Sequence, residues 1–457
     1  MGITATPHRW THTYAFVLAA TASAVGLGNV WKFPYILGQN GGGAFLAVYL
    51  ACIALIGIPI MMAEVMIGRR GRRSPGYAAR EVARAAGAHD AWQLAGWIGL
   101  LSAFLIVSFY VVIAGWAFSY THKAASGMFV AADAEQVEAI FSAMTASAGE
   151  MLFWATLTLA AAFAVVGLGL RRGLERGVHI LMPVLLLLLL TAMISALWIG
   201  DAASALAFMF HLELDALTAQ GVQIAVGHAF YTMTLASGVL MMFGAYLPRE
   251  TSIARSAVGV ALADTAIALI AGLAIFPIVF AHGLDPAEGP GLMFLTLPLA
   301  LAAAPAGITL ATLFFASLSI AAFSTIITGV QAFVHLLHER LHMPNGLAAL
   351  VCGVAVWFVS LATVFSFSGA DWARIDLVLL GREIPTVYHA LEHVAINILL
   401  PLGGLLIAIF AGWVVPAAIT REELATSAAG FRLWRILLRY VAPLGIGGIF
   451  LHTAGLL

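Results

Sequence analysis

The run Ala22-Ser-Ala-Val-Gly-Leu-Gly-Asn-Val-Trp-Lys-Phe-Pro34 sits inside an apolar segment extending from Thr13 to Leu37. That segment is long enough to cross a bilayer at about 1.5 Å per residue. Yet it places Gly26, Gly28, Asn29, Lys32 and Pro34 near its middle. Glycine and proline loosen a helix, and a helix that opens at membrane depth bares N–H and C=O groups. Such groups are tolerated there only where they face protein, water or a ligand. An opened backbone offers carbonyls to a cation and helix-end N–H groups to an anion. A kinked, gap-filling helix is the competing reading of this run alone.

The surrounding chain supports a membrane setting. Of 457 residues, 62% are hydrophobic and 9% charged, with mean hydropathy +1.00. This is the composition of a polytopic α-helical membrane protein and excludes a soluble domain. The net charge of −1 identifies no partner, and nothing indicates nucleic acid. Cys52 and Cys352 both lie in apolar runs, so they read as small buried hydrophobes rather than a disulfide framework. The first apolar segment is too long for a signal-peptide core and lacks a cleavage site, so it counts as a span.

Windows of about 20 apolar residues predict eleven spans: 13–37, 43–68, 92–122, 151–169, 175–199, 221–246, 256–281, 305–338, 346–366, 387–413 and 433–454. With the N-terminus and Arg9 inside, 17 of the 21 Lys and Arg fall on the cytoplasmic side. The opposite loops hold acids such as Asp133, Glu135, Asp201, Glu213 and Asp285. This asymmetry predicts a multi-pass protein of a bacterial-type inner (plasma) membrane, N-terminus cytoplasmic and C-terminus outside.

Five spans after the first, the sixth is interrupted as well, at Gly227-His-Ala-Phe-Tyr-Thr-Met-Thr-Leu-Ala-Ser-Gly238. Five is odd, so the two broken helices enter from opposite sides, as in an inverted repeat with its site at the midplane. The expected organisation is one domain with repeats over 13–199 and 221–413, followed by an additional helix at 433–454.

At this point the chain resembles the neurotransmitter:sodium symporter family, and within it the bacterial (multi-)hydrophobic amino-acid transporters. The residues carrying the likeness are Ala24-Val-Gly-Leu-Gly-Asn-Val-Trp-Lys-Phe-Pro-Tyr35 and Asn40-Gly-Gly-Gly-Ala-Phe45. They continue in Gly57-Ile-Pro-Ile-Met-Met-Ala-Glu-Val-Met-Ile-Gly-Arg69 and Pro401-Leu-Gly-Gly-Leu-Leu-Ile407. The resemblance implies an all-α leucine-transporter fold and sodium-driven import of a neutral amino acid by alternating access.

It also implies two sodium sites. The first would use Ala24, Asn29, Thr232 and Asp264 with the substrate carboxylate, an all-oxygen set suited to a hard cation. The second would use Ala22 and Val25 with Ala321, Ser324 and Thr325 in Ala321-Ala-Phe-Ser-Thr-Ile-Ile-Thr328. Ala316-Ser-Leu-Ser319 competes for that hydroxyl pair, and hydroxyls bonding back within their own helix are the structural alternative. Asp264 is the most informative single residue, because an acid within a span marks a functional site by default. Relatives with Asn there place a hydroxyl four residues later and use chloride; here that position is Ala268. The implied carrier therefore needs no chloride, and Asp264 also offers a proton-binding group.

The substrate carboxylate is expected at the N–H groups of Gly26, Leu27 and Gly28 and at the hydroxyl of Tyr110, six residues before Trp116. Family members that carry amines have Asp where this chain has Gly26, which favours a zwitterion. Ile106, Tyr231, Thr234, Ser237, Thr325 and Gly329 would border the side-chain pocket. Small residues at 237 and 329 favour a large hydrophobic or aromatic side chain.

The outer gate departs from the family, with Lys32 in place of an arginine, Glu392 as its acid and His228 in place of a supporting glutamine. Lysine is a point charge without the planar fork. His228 reads either as a pH-sensitive element or as a neutral hydrogen-bonding filler. Arg9 and Trp10 with Glu339 would close the inner side. His335, His338 and His342 read as surface histidines. Gly173 and Pro183, nine residues apart, would loosen the fifth span. Glu64 is expected to bond the opened backbone of the first span.

The competing functions are a proton-coupled or taurine/betaine-like carrier and a non-transporting substrate sensor. No nucleophile–base spacing, phosphate loop or metal cluster suggests an enzyme. The expected assembly is a monomer or weak dimer.

Overall fold

The structure, a computed structural model, describes residues 10–284, 292–303, 306–379 and 382–453. It is all-α apart from one antiparallel hairpin, β1 (Arg374–Leu379) and β2 (Arg382–Thr386), between the ninth and tenth spans. Among the described residues, eight helices are long and apolar enough to cross a bilayer. A ninth crossing is the first span, Thr13–Ala24 and Gly28–Gln39, bent by 55° at the break. The sixth and eleventh of the expected spans are each assembled from shorter helices. The sixth is Ala219–Thr232 and Val239–Ala245; the eleventh runs through Ala428–Ile436, Leu437–Val441 and Ala442–Thr453. The whole is the polytopic leucine-transporter fold, with an inverted five-plus-five arrangement and broken helices 1 and 6.

Local sequence explains the interruptions. Val25 leaves the helix with an extended backbone immediately before Gly26. Several spans carry a wide, i→i+5 turn: Gly28–Lys32, Ile53–Gly57, Leu170–Glu175, His393–Leu399, Phe410–Val414 and Leu437–Val441. Pro59 follows the second of these and Pro401 the fourth, where a missing N–H is least costly. Gly173 sits in the wide turn of the fifth span, while Pro183 lies inside the regular helix Arg176–Ile199. The expected loosening is thus a widened turn.

Lipid offers an apolar side chain no less than a protein core does, so helices here are held by close packing and internal bonds. Of the eight long apolar helices the third span is the most enclosed, with 72% of an apolar 18-residue stretch buried, and packs along the eighth. The fifth, at 28%, is the most open. Spans two and six meet backbone to backbone: a Cβ on Gly68 would run into the carbonyl of Met241, and one on Gly244 into that of Val65. Outside the spans, Pro75–Ala85, Ala134–Ala146 and Ala202–Phe210 are surface helices; the second begins with an Asp133/Gln136 capping box.

Candidate substrate and ion site

The site forms where the two breaks face each other. In the sixth span, residues 233–238 are unwound, and Thr234 (φ 53°), Ala236 (φ 59°) and Gly238 (φ 77°) all adopt the left-handed conformation. Two of these carry a Cβ, so the break is held against a local cost of about 1–2 kcal/mol per residue. What holds it is visible. The Thr234 hydroxyl donates to the Ser23 carbonyl at 2.6 Å, joining one break to the other, and Ser237 donates to the Thr234 carbonyl at 2.7 Å. Glu64 accepts the Ala236 N–H at 3.0 Å. The expectation that Glu64 supports the first span is therefore corrected. Its carboxylate reaches the sixth, because spans two and six are the pair in backbone contact.

Asp264 lies in the middle of the seventh span and is 0% exposed. Asn29 Nδ2 donates to its carboxylate at 2.7 Å and to its own carbonyl at 3.1 Å, and Thr232 Oγ1 is 3.2 Å from both carboxylate oxygens. Asn29 Oδ1 in turn accepts the Gly26 N–H at 3.1 Å. One carboxylate is thus joined to a residue of each break. Tyr49, which sequence reasoning missed, borders Asp264 and Thr232. An aromatic in an apolar span carries no signal of this by itself.

A second group of oxygens meets the first break at Val25. Thr325 Oγ1 donates to the Val25 carbonyl at 3.1 Å and approaches the Ala321 carbonyl at 3.2 Å; Ser324 Oγ donates to that carbonyl at 2.8 Å. Ala22 is buried one turn earlier. The competing pair does not reach the break: Ser317 bonds the Phe314 carbonyl, and Ser319 pairs with Thr121.

Between these groups is a cavity of about 50 Å³ lined by Ser23, Ala24, Gly26, Gly28, Ile106, Tyr110, Tyr231, Thr232, Thr234, Ser237, Thr325 and Leu400. Ser23 and Leu400 were not anticipated. Leu27 presents its N–H, which donates to Tyr110 Oη at 2.8 Å, while its side chain is buried in the core. A phenol that accepts an N–H keeps its own O–H for an incoming carboxylate. Gly26 permits this arrangement, since a Cβ there would stand 2.5 Å from both Thr325 Oγ1 and Tyr110 Oη. Gly329 is not among the lining residues; it packs where a Cβ would meet Val107.

Outward of the cavity, Lys32 Nζ stands 4.6 Å from the centroid of the Tyr231 ring, and Glu392 is near enough for its charge to act on that phenol. His228 does not serve as a hydrogen-bonding filler. Among the described residues neither ring nitrogen has a hydrogen-bond partner, and the ring lies between Phe33 (6.1 Å) and Tyr49 (5.4 Å). Inward, Glu339 takes Arg73 Nε at 2.6 Å and the Ser74 N–H at 2.6 Å. Arg9, the cation expected there, lies outside the described residues. Trp10 Nε1 donates to the Phe243 carbonyl at 3.0 Å. His335 is not a free surface residue, because its Nδ1 is 2.6 Å from the Tyr246 hydroxyl. Among the described residues no three His, Cys, Asp or Glu gather as a transition-metal site would require.

Comparison with known proteins agrees with this geometry. The family model of the sodium:neurotransmitter symporter family matches residues 7–129 and 129–378. An uncharacterised sodium-dependent transporter of Bacillus subtilis is 32% identical over 459 residues, covering 99% of this chain and 98% of the relative. One of Haemophilus influenzae is 30% identical, covering 97% of each. The sodium-dependent neutral amino acid transporter B(0)AT2 of Bos taurus is 28% identical over 59% of this chain and 40% of its own length. The crystal structure of MhsT in complex with L-phenylalanine superposes with a TM-score of 0.87 at 36% identity, covering 98% of this chain and 99% of that one. A broken pair of helices around a buried acid, matched over its whole length by sodium-dependent transporters, places the chain: it belongs to the sodium:neurotransmitter symporter family.

Proposed function

We propose that this chain imports a neutral, hydrophobic or aromatic L-amino acid together with sodium, by alternating access and without chloride. The observation that carries this reading is Asp264, fully buried and bonded to Asn29 of one break and Thr232 of the other. A buried carboxylate without a counter-charge is costly. A monovalent cation among Ala24, Asn29, Thr232, Asp264 and the substrate carboxylate supplies that charge and joins ion binding to substrate binding. Because Asp264 brings the negative charge and Ala268 brings no hydroxyl, chloride has no place in the set. A second sodium would sit among Ala22, Val25, Ala321, Ser324 and Thr325 and fix the first break against the eighth span.

The zwitterion's carboxylate meets the Tyr110 O–H and the Gly28 backbone, the Gly26 and Leu27 N–H groups being engaged by Asn29 and Tyr110, and its side chain extends toward Ile106, Ser237 and Leu400. The phenylalanine bound to MhsT, a chain alike over nearly its full length, supports an aromatic or bulky aliphatic side chain. Rocking of the repeats 13–199 and 221–413 would expose the site alternately. Lys32, His228 and Glu392 would gate the outside, and Arg73 with Glu339 the cytoplasmic side. The N-terminus would be cytoplasmic and the C-terminus, after the additional helix at 433–454, outside, with the chain working as a monomer or weak dimer.

Thermal stabilisation of the purified protein by each of the twenty amino acids, in sodium or in choline, tests the reading. One or a few bulky neutral amino acids should raise the melting temperature in sodium alone. Equal stabilisation in choline would remove Asn29, Thr232 and Asp264 as ion ligands.

A further inference from the structure

Around the ends of spans two and three most cations have acidic partners, while Arg72 donates to the Ala245 carbonyl and Arg80 lies over the Tyr77 ring. Arg69 pairs with Glu423, Arg70 with Glu422 and Glu423, Arg73 with Glu339 and Glu81, and Arg84 with Asp90. At the junction of spans ten and eleven the pattern differs. Arg421 and Arg435 both stand 5.9 Å from the centre of the Phe431 ring, and Arg439 lies 4.9 Å over Trp413, with Nε on the Gly412 carbonyl at 2.6 Å. Among the described residues none of these three guanidinium groups has a carboxylate within ion-pair distance. The acids on the same short helix, Glu422 and Glu423, are turned to Arg70 and Arg69. Arg435 and Arg439 are close enough to feel each other's charge, and the buried Nε of Arg435 has no hydrogen-bond partner.

We propose that this junction binds the phosphate headgroup of an anionic lipid, with Arg421, Arg435 and Arg439 as its ligands. Arg435 and Arg439, like charges beside an unpartnered N–H, call for an anion, Arg421 flanks the same Phe431 ring, and guanidinium forks suit phosphate. The membrane supplies it. Interleaved with Arg435 and Arg439 and continuing past them, the eleventh span presents Leu433, Ile436, Tyr440 and Leu444 outward, an apolar face along which acyl chains can lie. Trp413 is exposed beside it, as an interfacial aromatic should be. A soluble anion would have no use for that adjoining apolar face.

The test uses the full chain in mild detergent, titrated with phosphatidylglycerol, phosphatidylcholine or inorganic phosphate. Melting temperature and native mass spectrometry report binding. Phosphatidylglycerol should bind the wild type and the control Arg249→Gln/Arg255→Gln, and at least ten-fold more weakly Arg435→Gln/Arg439→Gln; the other two ligands should have little effect. Unchanged phosphatidylglycerol binding by the double variant overturns the proposal. So does equal binding of phosphatidylcholine, which would mean ordinary lipid contact, or equal stabilisation by inorganic phosphate, which would mean a free-anion site. Should the double variant fail to fold, the exposed Arg421→Gln decides by the same readouts.

Discussion

Replacing Asp264 by Asn is the sharpest perturbation this structure offers, because it removes one charge and almost no volume. The carboxylate is enclosed on every side, so its attraction for a cation is weakly screened. At a separation of about 4 Å and an effective dielectric constant of about 20, an aspartate and a sodium ion attract by about 4 kcal/mol. The amide keeps an oxygen dipole and avoids part of the desolvation cost of a buried charge. Taking about half of the gross figure, ~2 kcal/mol, the sodium dissociation constant should rise about 30-fold. The assay is sodium titration of the amino-acid-induced melting shift, in chloride and in gluconate. The wild type should be indifferent to the anion, and Asp264→Asn/Ala268→Ser should become chloride-responsive. If Asp264→Asn folds and keeps wild-type sodium affinity in gluconate, the carboxylate is not an ion ligand and the reasoning fails.

Four further outcomes follow from single contacts. Tyr110→Phe leaves the Leu27 N–H without its 2.8 Å acceptor and removes the hydroxyl facing the substrate carboxylate. At about 1–3 kcal/mol for a stranded buried group, amino-acid affinity should fall ten-fold or more in equilibrium binding, and an unchanged Kd would remove Tyr110 from the site. Gly26→Ala puts a methyl 2.5 Å from Thr325 Oγ1 and Tyr110 Oη; overpacking of about 1–3 kcal/mol should lower the melting temperature and abolish substrate-induced stabilisation. Glu339→Gln weakens a partly exposed pair with Arg73 (16% and 41% exposed), so at no more than about 1 kcal/mol cytoplasmic labelling of a Ser324→Cys reporter should rise by at most about five-fold, and constant labelling would show that the pair does not close the inner side. Asp201, in the loop after the fifth span, is held below the ordinary aspartate value by the Ser204 hydroxyl and N–H. Its stabilising effect is present above the unfolded value and is lost as pH falls through the folded one, so Asp201→Asn should flatten the acid limb of a melting-temperature profile.

The fold was legible because its signals are contiguous. Apolar windows, arginine placement and two interruptions five spans apart can each be read without knowing which side chains touch. The site was legible where a rule ties chemistry to position, as for a lone acid at 264 or a tyrosine six residues before Trp116. What escaped depended on packing between distant segments. Glu64 reads from the sequence as a partner of the first break; the backbone contact of Gly68 and Gly244 with the facing helix gives it to the sixth span instead. Arg73 and Glu339 are 266 residues apart, and their pairing rests on where the helix Pro75–Ala85 docks. The left-handed Thr234 and Ala236 carry no sequence mark, since both residues ordinarily avoid that conformation.

The wide turns bear on how residues of one such carrier are matched to those of another. Each wide turn takes up about one residue more than the α turn it replaces, and one residue is about 100° of rotation around a helix. A chain one residue shorter within Ile53–Gly57 can therefore close that turn to an ordinary one and still aim Tyr49 and Glu64 at the same neighbours. Single gaps inside spans are then the natural form of divergence, and roles should be transferred by counting from the nearer side of a turn. Asn29 is counted from the break that precedes it, and Glu392 from the helix Val387–Glu392.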